Sequence, residues 1–452
     1  ALAQMLDRCF SITFCCIHIP ASLQEDIKNH GFQLQLIQTE SGFLSLLSEK
    51  DIVVLDGYHF TTAFQQQIKQ TGCKLACIDD LHELPFVADL IINYAPGVQP
   101  ADYIAAKETI FALGLEYVLL RKPFLLTALN NRQVKKSESV LICFGGSDVY
   151  NLTGRAFSVV KRFAQFKKIV LITGAVYSFI SELEQSIKAD SRAQHFHAID
   201  GNDMCTQMTQ TDLAIIPSSS IMLEAMAAGM MIAGSMYVDN QKIFYETLKQ
   251  QNVFIDAADF SEEAIHTAVE KALSENAPVA PRLIDGKSPA RLLHCFLHLH
   301  CRLRPAAAAD ALLFFNWAND SDVRMNAINQ DAIIWESHVE WFEKKLASAN
   351  TKVFVLEYLG HPAGQIRLDR DDDNNWLIDY SIDKTCRGFG LGRSIVMMAI
   401  KEMQGHALKA IVKESNPVSS NVFRSLHFSH SKVKLENQLQ ADCFLSAANG
   451  SN

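Results

Sequence analysis

The chain has 452 residues, 48% of them hydrophobic and 20% charged, with a formal net charge of −9. That length exceeds one ordinary core, so two or three domains are expected. The acidic balance excludes a dedicated nucleic-acid binder. The longest apolar stretch, Ile221 to Val238, carries Glu224 and two glycines, so no membrane span is expected.

The cysteines sit mostly in strand-like apolar runs, such as Cys15, Cys16, Cys77 and Cys143. This is the pattern of reduced core thiols rather than a disulfide framework, and no secretory leader opens the chain. A cytoplasmic location is expected.

Strand-like runs over residues 11–17, 33–38, 52–55 and 74–78 alternate with helical patterns over 23–29 and 63–70. Such alternation predicts βαβ units with a parallel sheet. A second series follows, with strands over 140–144, 169–173, 213–216 and 231–233 and helices over 181–188 and 261–273. Two α/β halves facing a cleft are the simplest reading, with the ligand at the carboxyl ends of the strands. Residues 278–305 read as a closing helix and a junction. Helices over 310–318 and 336–346 then precede strands over 352–358, 363–368 and 376–382, an α+β order. The expected domains are 1–130, 131–300 and 301–452. Residues 369–375 read as a solvated hairpin tip.

Two glycine loops stand out. Phe144-Gly145-Gly146-Ser147-Asp148 ends the apolar run Val140-Leu141-Ile142-Cys143. Arg387-Gly388-Phe389-Gly390-Leu391-Gly392-Arg393 runs into the helical pattern Ser394-Ile395-Val396-Met397-Met398-Ala399-Ile400. Glycine lets backbone N–H groups crowd around an anion, and a helix N-terminus adds partial positive charge. Two such loops in different settings point to two phosphate-bearing ligands.

Arg387-x-x-Gly390-x-Gly392 after a strand and before a helix resembles the acetyl-CoA loop of the GNAT acetyltransferases. A dinucleotide loop needs a surrounding βαβ unit, and the preceding strands here read as antiparallel. Downstream, residues 410–412 read as a strand. Asn416 and the run Ser420-Asn421-Val422-Phe423-Arg424-Ser425-Leu426-His427-Phe428 follow it and resemble the same family's later segment. Phe423 stands where many members carry a tyrosine that protonates the leaving thiolate, and His427 stands at the usual glycine. The resemblance implies acetyl-CoA as cosubstrate, held by Arg387, Gly388, Gly390, Gly392, Arg393 and Asn416. Trp317-Ala318-Asn319, Arg324, His338 and Trp341 resemble the N-terminal helices of the sugar-nucleotide GNAT enzymes of pseudaminic acid biosynthesis. Arg324 and His338 are then the expected amino-sugar contacts. Core packing is the alternative for the two tryptophans.

In the first 295 residues, Val54-Leu55-Asp56-Gly57-Tyr58-His59-Phe60, Ile78-Asp79-Asp80 and the Gly145 loop with Asn151 and Thr153 come in order. Pro217-Ser218-Ser219-Ser220-Ile221-Met222-Leu223-Glu224 and Asn240-Gln241 follow. Together they resemble the hydrolases of UDP-2,4-diacetamido-2,4,6-trideoxy-β-L-altropyranose, within the GT-B-like group that includes the MurG glycosyltransferases. The resemblance implies UDP held by Gly145, Gly146 and Ser147 on the diphosphate, Glu224 on the ribose, and Asn240 and Gln241 near the sugar junction. Pro217-Ser218-Ser219-Ser220 replaces the family's Gly-Pro-Ser/Thr. Releasing diphosphate needs its charge held and a base for water. In that family the base is a histidine in a Gly-x-Gly-His-x-x-Arg loop, expected to precede Ala1. Asp56, Tyr58 and His59 are the candidates within the chain.

His294-Cys295, His298 and His300-Cys301 put two histidines on one helix face, a possible zinc pattern. A domain-closing helix is the preferred reading, and no metal is expected. The combined expectation is α/β: two Rossmann-like halves (GT-B-like) followed by an α+β GNAT domain. The function expected is acetylation and hydrolysis of a UDP-amino-sugar. Alternatives are a UDP-sugar glycosyltransferase with a protein-acetylating GNAT domain, and a UDP-sugar-binding module.

Overall fold

The computed structural model describes residues 1–447 apart from 131, 135, 239–240, 276, 278–280 and 435–439. The chain divides into two compact units, Ala1–Leu293 and His294–Asn452.

In the first unit, strands β1 (Thr13–Cys16) and β2 (Gln33–Leu36) form a two-stranded parallel sheet. Strands β3 (Ile52–Asp56), β4 (Lys74–Ile78), β5 (Leu90–Asn93) and β6 (Ile110–Leu113) form a four-stranded parallel sheet in that order. The βαβ pattern therefore feeds two sheets here. The side chains of β1 alternate between exposed and half-buried and those of β2 are mostly exposed, whereas β4 and β5 are largely buried. Strands β5 and β6 are additions to the sequence reading.

The third sheet contains β7 (Ser139–Ile142), β8 (Lys168–Thr173), β9 (Ala193–His197), β10 (Leu213–Pro217), β11 (Met231–Ser235) and β12 (Ile255–Asp256). Its order is β12-β11-β10-β7-β8-β9. Every residue of β7, β10 and β11 is buried, as expected for parallel strands covered on both faces. Asp212 fixes the register at one end. Its Oδ2 accepts from the N–H groups of Glu138 and Ser139, both at 3.0 Å, and from Ser139 Oγ at 2.7 Å.

The second unit holds β13 (Cys301–Pro305), β14 (Thr351–Tyr358), β15 (His361–Arg370), β16 (Trp376–Ile382), β17 (Leu408–Lys413), β18 (Ser429–Lys434) and β19 (Gln440–Leu445). The sheet order is β13-β14-β15-β16-β17-β19-β18. A strand precedes the helix expected over 310–318: β13 pairs antiparallel with β14. Its Cys-Arg-Leu-Arg-Pro sequence has too few apolar residues to mark an edge strand. The decisive feature is the meeting of β16 and β17. They pair in parallel over two residues only, Trp376↔Leu408 and Leu377↔Lys409, and then part.

His427 follows the helix Pro417–Ser425 with φ +58°. That conformation costs a side-chain-bearing residue about 1–2 kcal/mol. His427→Gly is expected to relieve it against an entropic cost of about 0.4–1 kcal/mol. The expected outcome is a net gain of up to about 1 kcal/mol. All four tryptophans, Trp317, Trp335, Trp341 and Trp376, lie in the second unit. Tryptophan fluorescence during thermal unfolding therefore reads this effect, and an unchanged or lowered midpoint would contradict it.

Candidate functional sites

Beyond β7 the chain passes through buried Cys143 and Phe144 to Gly145, whose φ is +84°. Gly146 and Ser147 follow, and then Asp148. The helix Leu152–Val160 starts next, but its first N–H groups are already engaged. Asp148 accepts from the N–H of Leu152 through Oδ1 and of Thr153 through Oδ2, both at 2.8 Å. Asp148 thus fills the anion position at this helix start, which leaves the loop's own N–H groups as the candidates for a ligand. A Cβ at Gly174, after β8, would lie 2.4 Å from Gly146 Cα, so two glycines are needed where these turns touch.

Glu224 lies on the helix Ser220–Ala227, which follows β10, and is 9% exposed. Its carboxylate accepts from Arg121 Nε and Nη2, both at 2.8 Å, a two-point fork. Burial raises the Glu224 pKa, and Arg121 opposes the rise. The Cys143 thiol is pushed up to about 12 by burial, with Glu224 and Asp148 adding to the effect. Glu224 and the root of the glycine loop thus share one electrostatic environment. Gln241 caps no helix N–H; its Oε1 accepts from the Tyr237 N–H at 3.2 Å. Asn240 lies outside the described residues.

Asp56 ends β3. Its pKa is raised, first by burial and then by the negative charge of Asp80. Tyr58 donates to Asp80 Oδ2 at 2.8 Å, and this bond pushes the phenol pKa up. His59 packs against Phe60 with its ring tilted by 39° and the centroids 4.0 Å apart. The carboxyl ends of β3 and β4 thus gather Asp56, Tyr58 and Asp80. Asp80 stood in a sequence motif without being a site candidate.

In the second unit a cavity of about 930 Å³ opens where β16 and β17 part. Residues 378–382 and 410–413 line it, with Arg324, His338, Gly388, Gly390, Gly392, Arg393 and Asn416. Gly390, at φ +75°, sits at the N-cap of the helix Leu391–Glu402. A Cβ there would lie 2.8 Å from His294 Nδ1. Asn416 caps the helix Pro417–Ser425 through the Ser419 N–H at 3.2 Å.

Arg387 also lines the cavity, but its guanidinium is tied to neighbouring groups. Its Nη2 meets Asp320 at 2.6 Å, its Nη1 meets Asp322 at 2.7 Å, and its Nε donates to the Ile382 carbonyl. The guanidinium thereby braces the loop. By contrast Arg393 Nη1 contacts the Met397 sulfur at 3.4 Å. His338 is buried, and its Nε2 lies 3.0 Å from the Ala311 carbonyl oxygen. Arg324 reaches the Asn329 and Asp331 carbonyls. Opposite lie Trp341, Arg367 and Asp379. Arg367 stands 5.0 Å over the Trp341 ring and pairs with Asp379 at 2.9 Å.

Burial and the nearby Arg393 depress His294 to about 3 and His298 to about 4, so both imidazoles are neutral. Among the described residues no group of three or more His, Cys, Asp or Glu side chains is arranged to hold a metal.

Residues 315–428 match the model of the acetyltransferase (GNAT) family, so the second unit carries a GNAT domain. The N-terminal half matches UDP-2,4-diacetamido-2,4,6-trideoxy-beta-L-altropyranose hydrolase of Campylobacter jejuni subsp. jejuni serotype O:2, with 25% identity over 238 residues, 51% of this chain and 83% of that protein. An uncharacterized protein of Methanocaldococcus jannaschii is 21% identical over 441 residues, 91% of this chain and 88% of its own. Among solved structures, spermidine N-acetyltransferase from Vibrio cholerae, in complex with CoA and spermine, is 14% identical. It covers 33% of this chain and 96% of its own, with a TM-score of 0.31. No helix among the described residues is long and apolar enough to cross a membrane.

Proposed function

We propose that the chain is a bifunctional enzyme of UDP-amino-sugar metabolism. The second unit transfers acetyl from acetyl-CoA to a sugar amine. The first unit hydrolyses the sugar–diphosphate bond and releases UDP. One observation carries this reading: a GNAT domain shares a chain with a region similar to a hydrolase named for a diacetamido sugar nucleotide. N-acetylation makes the acetamido group that such a substrate carries. On this reading the substrates are those of pseudaminic acid biosynthesis, UDP-2,4-diacetamido-2,4,6-trideoxy-β-L-altropyranose and its 4-amino precursor, and the compartment is the cytoplasm.

In the second unit, the Gly388–Gly392 N–H groups and Arg393 hold the pyrophosphate of acetyl-CoA, and the gap between β16 and β17 takes the pantetheine arm. Asp379, beside Arg367 and Trp341, is placed to accept the amine proton. In the first unit, whose two α/β parts we read as GT-B-like, the Gly145–Ser147 loop holds the leaving diphosphate. Glu224 exchanges its fork with Arg121 for the ribose hydroxyls, and Asp56 activates water.

The test supplies the full chain with acetyl-CoA and a UDP-4-amino-4,6-dideoxy-sugar. Release of free thiol, a mass gain of one acetyl group, and then UDP with free sugar are expected. Sugar transferred to an added acceptor instead of water would make the first unit a glycosyltransferase. UDP binding without turnover would make it a binding module. Glu224→Ala is expected to weaken UDP binding by about 1–3 kcal/mol, the loss of a charged hydrogen bond. Calorimetry with UDP and its 2′,3′-dideoxy analogue checks the assignment. Equal affinity of the parent chain for both would show that Glu224 does not read the ribose.

A further inference from the structure

The leaving thiolate in acetyl transfer needs a proton, and position 423, where a phenol is expected, holds phenylalanine. The Phe423 ring is 1% exposed and packs on Phe428 and Phe444. It lines the cavity but has nothing to donate. Tyr380 of β16 is the one phenol among the described residues lining the cavity. Its ring stands edge-on to Phe423 at 6.1 Å, so it occupies space next to the lost tyrosine. Its hydroxyl lies 3.1 Å from Ser419 Oγ, in the first turn of the helix Pro417–Ser425. It also lies 3.6 Å from the position a Cβ would take at Gly392, in the first turn of the helix Leu391–Glu402. The phenol is thus held between the starts of two helices, at the point where β16 and β17 part.

We infer that Tyr380, reprotonated through Ser419, is the proton donor to the thiolate of CoA, in place of an acid at position 423. This rests on the acetyl-transfer reading. In the step, the amine lone pair forms the C–N bond to the acetyl carbon. The C–S bond breaks and its electron pair stays on sulfur, which takes the phenol proton. The phenolate recovers a proton from water through Ser419, and the new amide nitrogen sheds its extra proton to Asp379. Burial raises the Tyr380 pKa, and the hydrogen bond to Ser419 opposes the rise.

The experiment uses the full chain, acetyl-CoA and the UDP-4-amino-sugar, with acetyl-CoA binding measured separately. Tyr380→Phe removes one oxygen from a position already shaped for an aromatic ring. Its kcat is expected to fall on the order of 10²-fold, with acetyl-CoA affinity within twofold of the parent. Adding Phe423→Tyr to that variant is expected to restore at least tenfold. If Tyr380→Phe keeps kcat within twofold, or raises KM for acetyl-CoA with kcat unchanged, the inference is overturned while acetyl transfer stands. If the double variant recovers nothing, the phenol at this wall is not the acid. If the parent chain releases no thiol with this amine, the acetyl-transfer reading falls and the inference with it.

Discussion

Gly390→Asp is expected to remove acetyl-CoA binding while leaving the second unit folded. Gly390 is the N-cap of the helix Leu391–Glu402 and has φ +75°. Aspartate is a favoured N-cap residue, so the helix gains a carboxylate acceptor for its first N–H groups. Those are the groups assigned to the pyrophosphate. The variant sets an internal anion against the ligand and presses on the His294 ring, 2.8 Å from the new Cβ. Two hydrogen bonds to a charged group are worth about 1.5–3 kcal/mol each. Their loss corresponds to a fall in affinity of roughly 10²–10⁴-fold. Gly390→Ala carries the backbone strain and the contact with His294 but no charge, so it is expected to lose less. Calorimetric titration with acetyl-CoA decides, and unchanged affinity in Gly390→Asp would remove the loop from the site.

Asp56→Asn is expected to slow UDP release by roughly 10²–10⁴-fold, the usual contribution of a general base. Its affinity for UDP is expected to stay within twofold. The motive is electrostatic: burial and Asp80 raise the Asp56 pKa, which makes the carboxylate a better proton acceptor. UDP is a good leaving group, so activating water is where the protein has most to supply. Asparagine keeps the shape and cannot take the proton. Release of UDP from the diacetamido sugar nucleotide and binding of UDP are measured separately. Parent-like turnover would move the base elsewhere, and His59 would be the next residue to change.

Much of the architecture is legible from local pattern. The apolar runs that became β4, β7, β8, β10 and β11 are continuous because both sheet faces are largely covered. The glycines at 145 and 390 mark turns because their positive φ excludes most other residues. Short or polar strands were not legible. Strands β9 and β18 carry mixed, partly exposed side chains, and β13 reads as a junction. Two-residue pairing between β16 and β17, which opens the cavity, leaves no mark in periodicity.

Residue order alone reveals which residue types stand at the turns: two glycine loops, a carboxylate on a helix after a strand, and a phenylalanine at position 423. What those residues touch emerges with the packing of distant segments. Arg121 meets Glu224 across 103 positions, Arg387 meets Asp320 across 67, and Tyr380 meets Ser419 across 39. The physical reason is range. Backbone conformation is set by neighbours a few positions away, which periodicity and glycine placement record. A side chain's hydrogen-bond partner is set by which strands and helix starts the sheet order brings together.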